Sequence, residues 1–226
     1  MHMSDQPRFE LFAYWLTSAT YRVRVAMNLK GLTPEERFVD MGAGEHLSEP
    51  FLKINPMGAL PALVDREAGI HTPPITQSLA ILEFLEEVQP HPPILPAEIH
   101  GRARVRSLAA MLVADTHPLI VPRVVTYLTK HHGMDAAGAR AWRTHWFTTG
   151  LQAFEQRLTT EAETGTFCHG ESITMADICL ASIKIVLPVL KIEVPGTPTI
   201  DRIFAACQAQ EAFALADPMK QAGAPK

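Results

Sequence analysis

Three short stretches of this sequence carry side chains or backbone groups able to do chemistry. The first is Thr17-Ser18-Ala19-Thr20, where three hydroxyls sit between a short apolar strand and an amphipathic helix closed by Gly31. The unpaired N–H groups of a helix's first turn, with hydroxyl donors beside them, suit an anion or a thiolate, whose pKa such donors lower. The plainer alternative is that Ser18 or Thr20 only caps the helix. The second is Leu60-Pro61, which follows Asn55-Pro56-Met57-Gly58. It reads as a turn before a strand. A cis bond there would present the Leu60 N–H and C=O to a ligand peptide, whereas most X–Pro bonds are trans. The third is Gln77-Ser78, which opens a helix just after Pro73-Pro74. Free N–H groups and a serine hydroxyl at such a start suit a carboxylate, or serve simply as a cap.

The elements that must position these groups can be read from periodicity and punctuation. Phe9–Tyr14 is strand-like, and Tyr21–Lys30 is helical, with Val23, Ala26, Met27 and Leu29 on its apolar face and Gly31 just past its end. Arg37–Met41 reads as a second strand, and Gly42–Ile54 as a polar loop with one helical turn. Ala62–Asp65 and Gly69–Thr72 read as a hairpin, and Gln77–Val88 as a strong helix. This βαβ–ββα order matches a thioredoxin-like domain over residues 8–89. A Pro-rich stretch, Gln89–Pro96, reads as a linker. Beyond it the pattern is all helical, giving a second domain over residues 97–220. Gly101–Thr116 carries an apolar stripe, which Val121–His131 extends past a kink at Pro118 and Pro122. Ala136–Thr160 is amphipathic, Thr174–Ile185 opens with the capping box Thr174-Met-Ala-Asp177, and Ile200–Cys207 is a short helix.

Composition excludes several classes. At 226 residues, 47% hydrophobic and 19% charged, the chain is long and apolar enough to bury a core. A net charge of −4 gives no basic field for nucleic acid. The run of Arg102, Arg104 and Arg106 reads as a solvated helix face. Neither a membrane-spanning run nor a signal-peptide pattern is expected. The opening Met1-His2-Met3-Ser4 reads as a disordered start or an expression scar. Three widely spaced cysteines, Cys168, Cys179 and Cys207, form no disulfide framework or metal motif. They read as buried free thiols in a reducing cytoplasm.

Taken together, these segments resemble the zeta class of glutathione transferases, typified by maleylacetoacetate and maleylpyruvate isomerases. The resemblance rests on Thr17-Ser18 with Arg22-Val23-Arg24, the Val-x-Met-x-Leu-Lys-Gly run ending at Gly31, Asn55-Pro56-Met57, Gln77-Ser78-Leu79-Ala80-Ile81 and Thr174–Asp177. It spans about Phe9 to Asp217. It implies an α/β thioredoxin-like N-terminal domain and an all-α C-terminal domain that carries the second-substrate pocket. It further implies glutathione as cofactor, a homodimer formed through the helices around Gln77–Glu87 and Arg102–Ala114, and small-molecule substrates. Thr17 and Ser18 carry over as thiolate-stabilising hydroxyls. Pro61 carries over as cis, with Leu60 pairing to the cysteinyl backbone of glutathione, and Gln77 and Ser78 as the grip on its γ-glutamyl end. His46 and His117 are candidate contacts to the glycyl carboxylate, against the bland reading of lone structural or solvated histidines. Arg22 and Arg123 are candidates for the carboxylates of a cis-enone substrate, since arginine suits a dicarboxylate; the bland reading of Arg123 is a surface residue.

The implied reaction is cis–trans isomerisation of maleylacetoacetate or maleylpyruvate by reversible thiolate addition. Two departures bear on it. Ala19 stands where the family has a cysteine (a threonine in maleylpyruvate isomerases), and Leu16 where it usually has an arginine. Pro188 or Val189 also replaces a helix arginine that those isomerases use on the substrate. The apolar replacements leave open a transferase that conjugates glutathione to apolar electrophiles. Ala19 leaves open a non-catalytic glutathione-binding protein.

Overall fold

The computed structural model describes residues 6–69 and 71–225, so the Met1–Ser4 expectation lies outside the described residues. The chain divides into two compact units: residues up to Pro93 with those from Gln210 on, and Ile94–Ala209.

The first unit is built on a four-stranded sheet of order β2-β1-β3-β4, in which β1 (Phe9–Ala13) and β2 (Glu35–Phe38) are parallel. β3 (Ala62–Asp65) runs antiparallel to β1, and β4 (Ile75–Thr76) antiparallel to β3. On β1, Phe9, Leu11 and Ala13 are buried and alternate with half-buried Glu10 and Phe12, as a strand of period two requires. Helices α1 (Ser18–Leu29) and α3 (Ser78–Val88) pack together and bury Val23, Met27, Ile81, Leu82 and Leu85. Phe12 and Tyr14 instead join Val39, Phe51 and Leu60 in a second cluster, with Phe51 supplied by α2 (Glu49–Ile54).

Two strand assignments differ from the sequence reading. The second strand covers Glu35–Phe38 rather than Arg37–Met41, because the chain stays in register with β1 only to the Ala13–Phe38 pair. The hairpin partner of β3 is Ile75–Thr76 rather than Gly69–Thr72, since the turn after Asp65 is lengthened by a 3-10 turn at Arg66–Ala68.

α1 is buried on nearly every side, from Thr20 through Met27. Its two arginines are therefore interior. Arg24 is 5% exposed, bonds both Glu36 oxygens at 2.8–3.2 Å and donates to the Tyr14 carbonyl. Lys30, at the end of α1, has a fully buried side chain whose Nζ donates to Glu86 at 2.7 Å, to the Gln89 carbonyl at 2.7 Å and to the Pro92 carbonyl at 3.1 Å. The expected linker is thus pinned rather than loose. Buried cations persist only when paired in this way.

The second unit is helical: α4 (Ile99–Ala110), a π-helical turn at Met111–Thr116, α5 (His117–Ile120), α6 (Pro122–His132), α7 (Ala136–Thr160), α8 (Met175–Lys184), α9 (Leu187–Leu190) and α10 (Pro198–Gln208). Residues Met175–Ile183 of α8 are all buried. Its capping box is formed as the sequence predicts: Asp177 accepts from Thr174 N at 2.8 Å and Thr174 Oγ1 at 2.7 Å, and also from Cys168 N at 2.7 Å. Arg104, expected on a solvated face, instead clamps Glu161 at 2.6 Å and the Cys168 carbonyl at 2.7 Å.

Contrary to the sequence expectation, the helical run Ile99–His132 is long and apolar enough to cross a membrane by length and composition. Here it is interrupted at Val121, whose ψ of 151° is extended, and it buries Leu108, Leu112 and Ile120. The helical unit also ends at Ala209 rather than at residue 220. The reason lies in α11 (Glu211–Leu215), which packs on α1, with the Asn28 side chain donating to the Ala212 carbonyl at 2.9 Å.

Candidate functional site

Strand register decides where the chemistry-bearing loops meet. Phe12 of β1 lies opposite Ala62 of β3, and Ala62 lies opposite Thr76 of β4. The turn into α1, the Leu60-Pro61 bond and the start of α3 therefore all leave the same end of the sheet. Residues far apart in sequence are brought together by this one row of backbone pairing.

In the first loop, Thr17 is the N-cap of α1, with extended φ −78° and ψ 126°. Its Oγ1 accepts from Thr20 N at 3.2 Å and donates to Thr20 Oγ1 at 2.5 Å. The Thr17 hydroxyl is thus committed to capping. Ser18, the first helical residue, is 5% exposed, and among the described residues its hydroxyl has no hydrogen-bond partner. Ala19 contributes only its backbone N–H, one of the first-turn donors that a helix leaves unpaired.

In the second loop, the Leu60–Pro61 bond is cis. Among the described residues, neither the N–H nor the C=O of Leu60 is hydrogen-bonded. An unpaired strand edge of this kind is a template for an extended peptide. Asn55, 4% exposed and not singled out from sequence, holds the loop: its Nδ2 donates to the Ala59 carbonyl at 2.6 Å, and its Oδ1 accepts from Met57 N at 3.1 Å. Its signal was present in Asn-Pro-Met-Gly. Gly58 has φ +57°, and a Cβ there would meet Leu47 Cδ2 at 2.8 Å and the His46 carbonyl at 3.0 Å. The His46 turn therefore lies against this loop. His46 is half-buried, and its Nδ1 is sealed from solvent with no hydrogen-bond partner among the described residues.

In the third loop, Gln77 adopts φ +68°, a conformation that a residue with a Cβ takes only when its surroundings force it. No side chain caps α3, so its first-turn N–H groups remain available to an anion. Ser78, 5% exposed, accepts from Arg22 Nη1 at 2.7 Å. Arg22, expected as a contact to a substrate carboxylate, is itself 1% exposed, and its guanidinium lies against Ser78.

His117 and Arg123 lie in the helical unit, where His117 opens α5 and Arg123 is an exposed residue in the first turn of α6. No candidate nucleophile comes from the protein's own thiols. All three cysteines are buried and none is in a disulfide, and burial pushes the Cys168 and Cys207 thiols well up from their ordinary value. Among the described residues no group of His, Cys, Asp and Glu is arranged to hold a metal ion.

Comparison with known proteins agrees with this geometry. The family profile "Glutathione S-transferase, N-terminal domain" matches residues 18–88. The maleylpyruvate isomerase of a Ralstonia species is 36% identical over 212 residues, covering 94% of this chain and 98% of that protein. A holo structure of a maleylpyruvate isomerase, described as a bacterial glutathione S-transferase in the zeta class, is 35% identical with a TM-score of 0.90, covering 96% of this chain and 100% of its own. The chain belongs to the zeta-class glutathione transferases. A maleylacetoacetate isomerase from Methylobacterium extorquens, solved with bound malonate and glutathione, is 44% identical with a TM-score of 0.92, covering 96% of this chain and 100% of its own. Within this zeta-class chain, the apolar replacements noted from sequence lie at half-buried Leu16 and at exposed Pro188 and Val189 in α9. The neighbouring cation Lys184 is engaged with Asp201 at 2.6 Å.

Proposed function

We propose that this chain isomerises the cis double bond of maleylacetoacetate or maleylpyruvate with glutathione as cofactor. The observation that carries the reading is the convergence of an unpaired Leu60 backbone edge, an uncapped α3 N-terminus bearing Ser78, and a hydroxyl at Ser18. Each is complementary to one part of a γ-glutamyl tripeptide thiol. Leu60 offers one donor and one acceptor to the cysteinyl backbone. Ser78 and the first-turn N–H groups of α3 offer donors to the γ-glutamyl carboxylate, and Gln77 lies beside them for the ammonium. When bound, glutathione supplies a thiolate that adds reversibly to the enone and frees the carbon–carbon bond to rotate.

Ser18 is the residue that donates to the sulfur and holds it ionised, aided by the unpaired Ala19 N–H and the positive end of α1. Thr17 supports it as the cap. His46 and His117 are assigned to the glycyl carboxylate and Arg123 to a substrate carboxylate. The malonate in the Methylobacterium relative supports a dicarboxylate as the second ligand. A homodimer formed through α3 and α4 and a cytoplasmic location complete the reading, the latter supported by three free thiols. Light scattering in solution tests the dimer.

The decisive experiment measures cis-to-trans conversion of both substrates with and without glutathione. Glutathione-dependent turnover supports the proposal. Glutathione binding without turnover favours a second reading, conjugation of glutathione to apolar electrophiles, which rests on Leu16, Pro188 and Val189 in place of cationic residues. Glutathione binding with no fall in the pKa of its thiol favours a binding protein.

A further inference from the structure

Arg22 is an arginine in the interior of the first unit, 1% exposed, on a helix whose neighbouring side chains are also buried. Its Nη1 lies 2.7 Å from Ser78 Oγ, fifty-six residues away in sequence. A guanidinium has five N–H donors and no acceptor. In that contact Ser78 Oγ can only accept. Its own proton must therefore lie elsewhere, on a hydroxyl 5% exposed at the uncapped N-terminus of α3. Arginine thereby fixes the polarity of the serine: one lone pair is taken from behind, and the O–H is left to donate forward. The same contact places a permanent positive charge one side chain behind the anion-binding turn, where burial strengthens its field.

We propose that Arg22 is a positioning residue that acts through Ser78, turning its hydroxyl into an obligate donor and thereby setting the preference of the site for ligands with an α-carboxylate. This assignment rests on the reading that the γ-glutamyl end of glutathione binds at α3. It gives Arg22 a role that neither touches the second substrate nor takes part in proton transfer.

The test compares glutathione with its analogue lacking the α-carboxylate, γ-aminobutyryl-cysteinyl-glycine, by calorimetric titration. The proteins are the wild type, Arg22→Gln, Arg22→Lys, Ser78→Ala and the double variant Arg22→Gln/Ser78→Ala. Glutamine can accept as well as donate, so it releases the serine proton to turn backwards; lysine keeps a donor-only cation. A hydrogen bond to a charged group is worth roughly 10- to 100-fold in affinity. The wild type is expected to prefer glutathione over the analogue by about that factor. Arg22→Gln and Ser78→Ala each lose most of that preference, and the double variant loses no more than either alone. Arg22→Lys retains most of it, which keeps the test available if Arg22→Gln does not fold.

Equal weakening of both ligands in Arg22→Gln would overturn the assignment, since a purely structural role does not discriminate between them. So would losses that multiply in the double variant, or an Arg22→Lys protein with no preference. A wild type that binds neither ligand refutes the functional reading itself, and with it this assignment. A wild type that binds glutathione while the variants keep its preference refutes the assignment alone.

Discussion

Replacing Ser18 by Ala and Thr17 by Val separates two hydroxyls that adjoin in sequence and differ in what they bond. Thr17 Oγ1 is engaged with Thr20 through both its lone pair and its proton. Ser18 has no hydrogen-bond partner among the described residues. If Ser18 donates to the bound thiolate, its removal forfeits a hydrogen bond to a charged group, about 1.5–3 kcal/mol. At about 1.36 kcal/mol per pKa unit, the bound thiol should rise by roughly one to two units. Removal of the Thr17 hydroxyl should instead cost about 1 kcal/mol of folding stability, the usual value of an N-cap, and move the thiol little. The assay is a pH titration of the ultraviolet absorbance of the glutathione thiolate on each protein, paired with urea denaturation. A Thr17→Val protein whose bound thiol shifts more than that of Ser18→Ala would refute this division of labour. So would a Ser18→Ala protein whose thiol titrates as in the wild type.

Further outcomes follow from the scaffold. Lys30→Met should destabilise the protein by about 3–5 kcal/mol in urea, because the buried Glu86 carboxylate loses its 2.7 Å contact with the Lys30 ammonium; a loss under about 1 kcal/mol would contradict the pairing. Glu161 is held below its ordinary pKa of 4.5, chiefly by its hydrogen bond from Arg157 and further by Arg104. A depressed carboxylate contributes stability that is complete above its unfolded value and lost as pH falls through the folded one. Glu161→Gln should therefore flatten the loss of stability below about pH 4.5, as read from denaturation midpoints between about pH 6 and pH 3. A Cβ at Gly150 would lie 2.1 Å from Thr116 Oγ1, 2.8 Å from its Cγ2 and 3.0 Å from its Cβ, so no rotamer of Thr116 clears it. Gly150→Ala should lower the melting temperature, the overpacking cost of about 1–3 kcal/mol exceeding the ~1 kcal/mol gain in helix propensity. An unchanged or raised melting temperature would show that the two helices can separate freely there.

Much of this protein is written locally. The capping box at Thr174–Asp177, the limits of α7 at Ala136 and Thr160, and the strand at Ala62–Asp65 agree between sequence and structure. Each depends on groups within a few residues of one another: a side chain reaching its own helix's N–H, an apolar period, or a proline fixing a turn. The three loops of the candidate site were legible for the same reason, since each announces itself by its own residue types.

Tertiary structure decided what each group is free to do. Arg22 read as a substrate-facing cation, Arg104 as a solvated one and Arg24 only as part of a motif, because a period of 3.6 cannot distinguish a wet helix face from one covered by a second layer. Only packing reveals that Ser78, Glu36 and Glu161 meet them in the interior or partly buried. Thr17 and Ser18 are equivalent by composition, yet a capping bond to Thr20 engages one hydroxyl and leaves the other unbonded. The β2 and β4 limits shifted because strand pairing depends on a partner outside the segment. The three loops of the candidate site converge because one row of register, Phe12–Ala62–Thr76, gathers residues 17, 60 and 78 at one end of the sheet. Sequence fixes short-range geometry through covalent reach. Convergence across tens of residues depends on which backbone groups pair, and that is a property of the folded sheet.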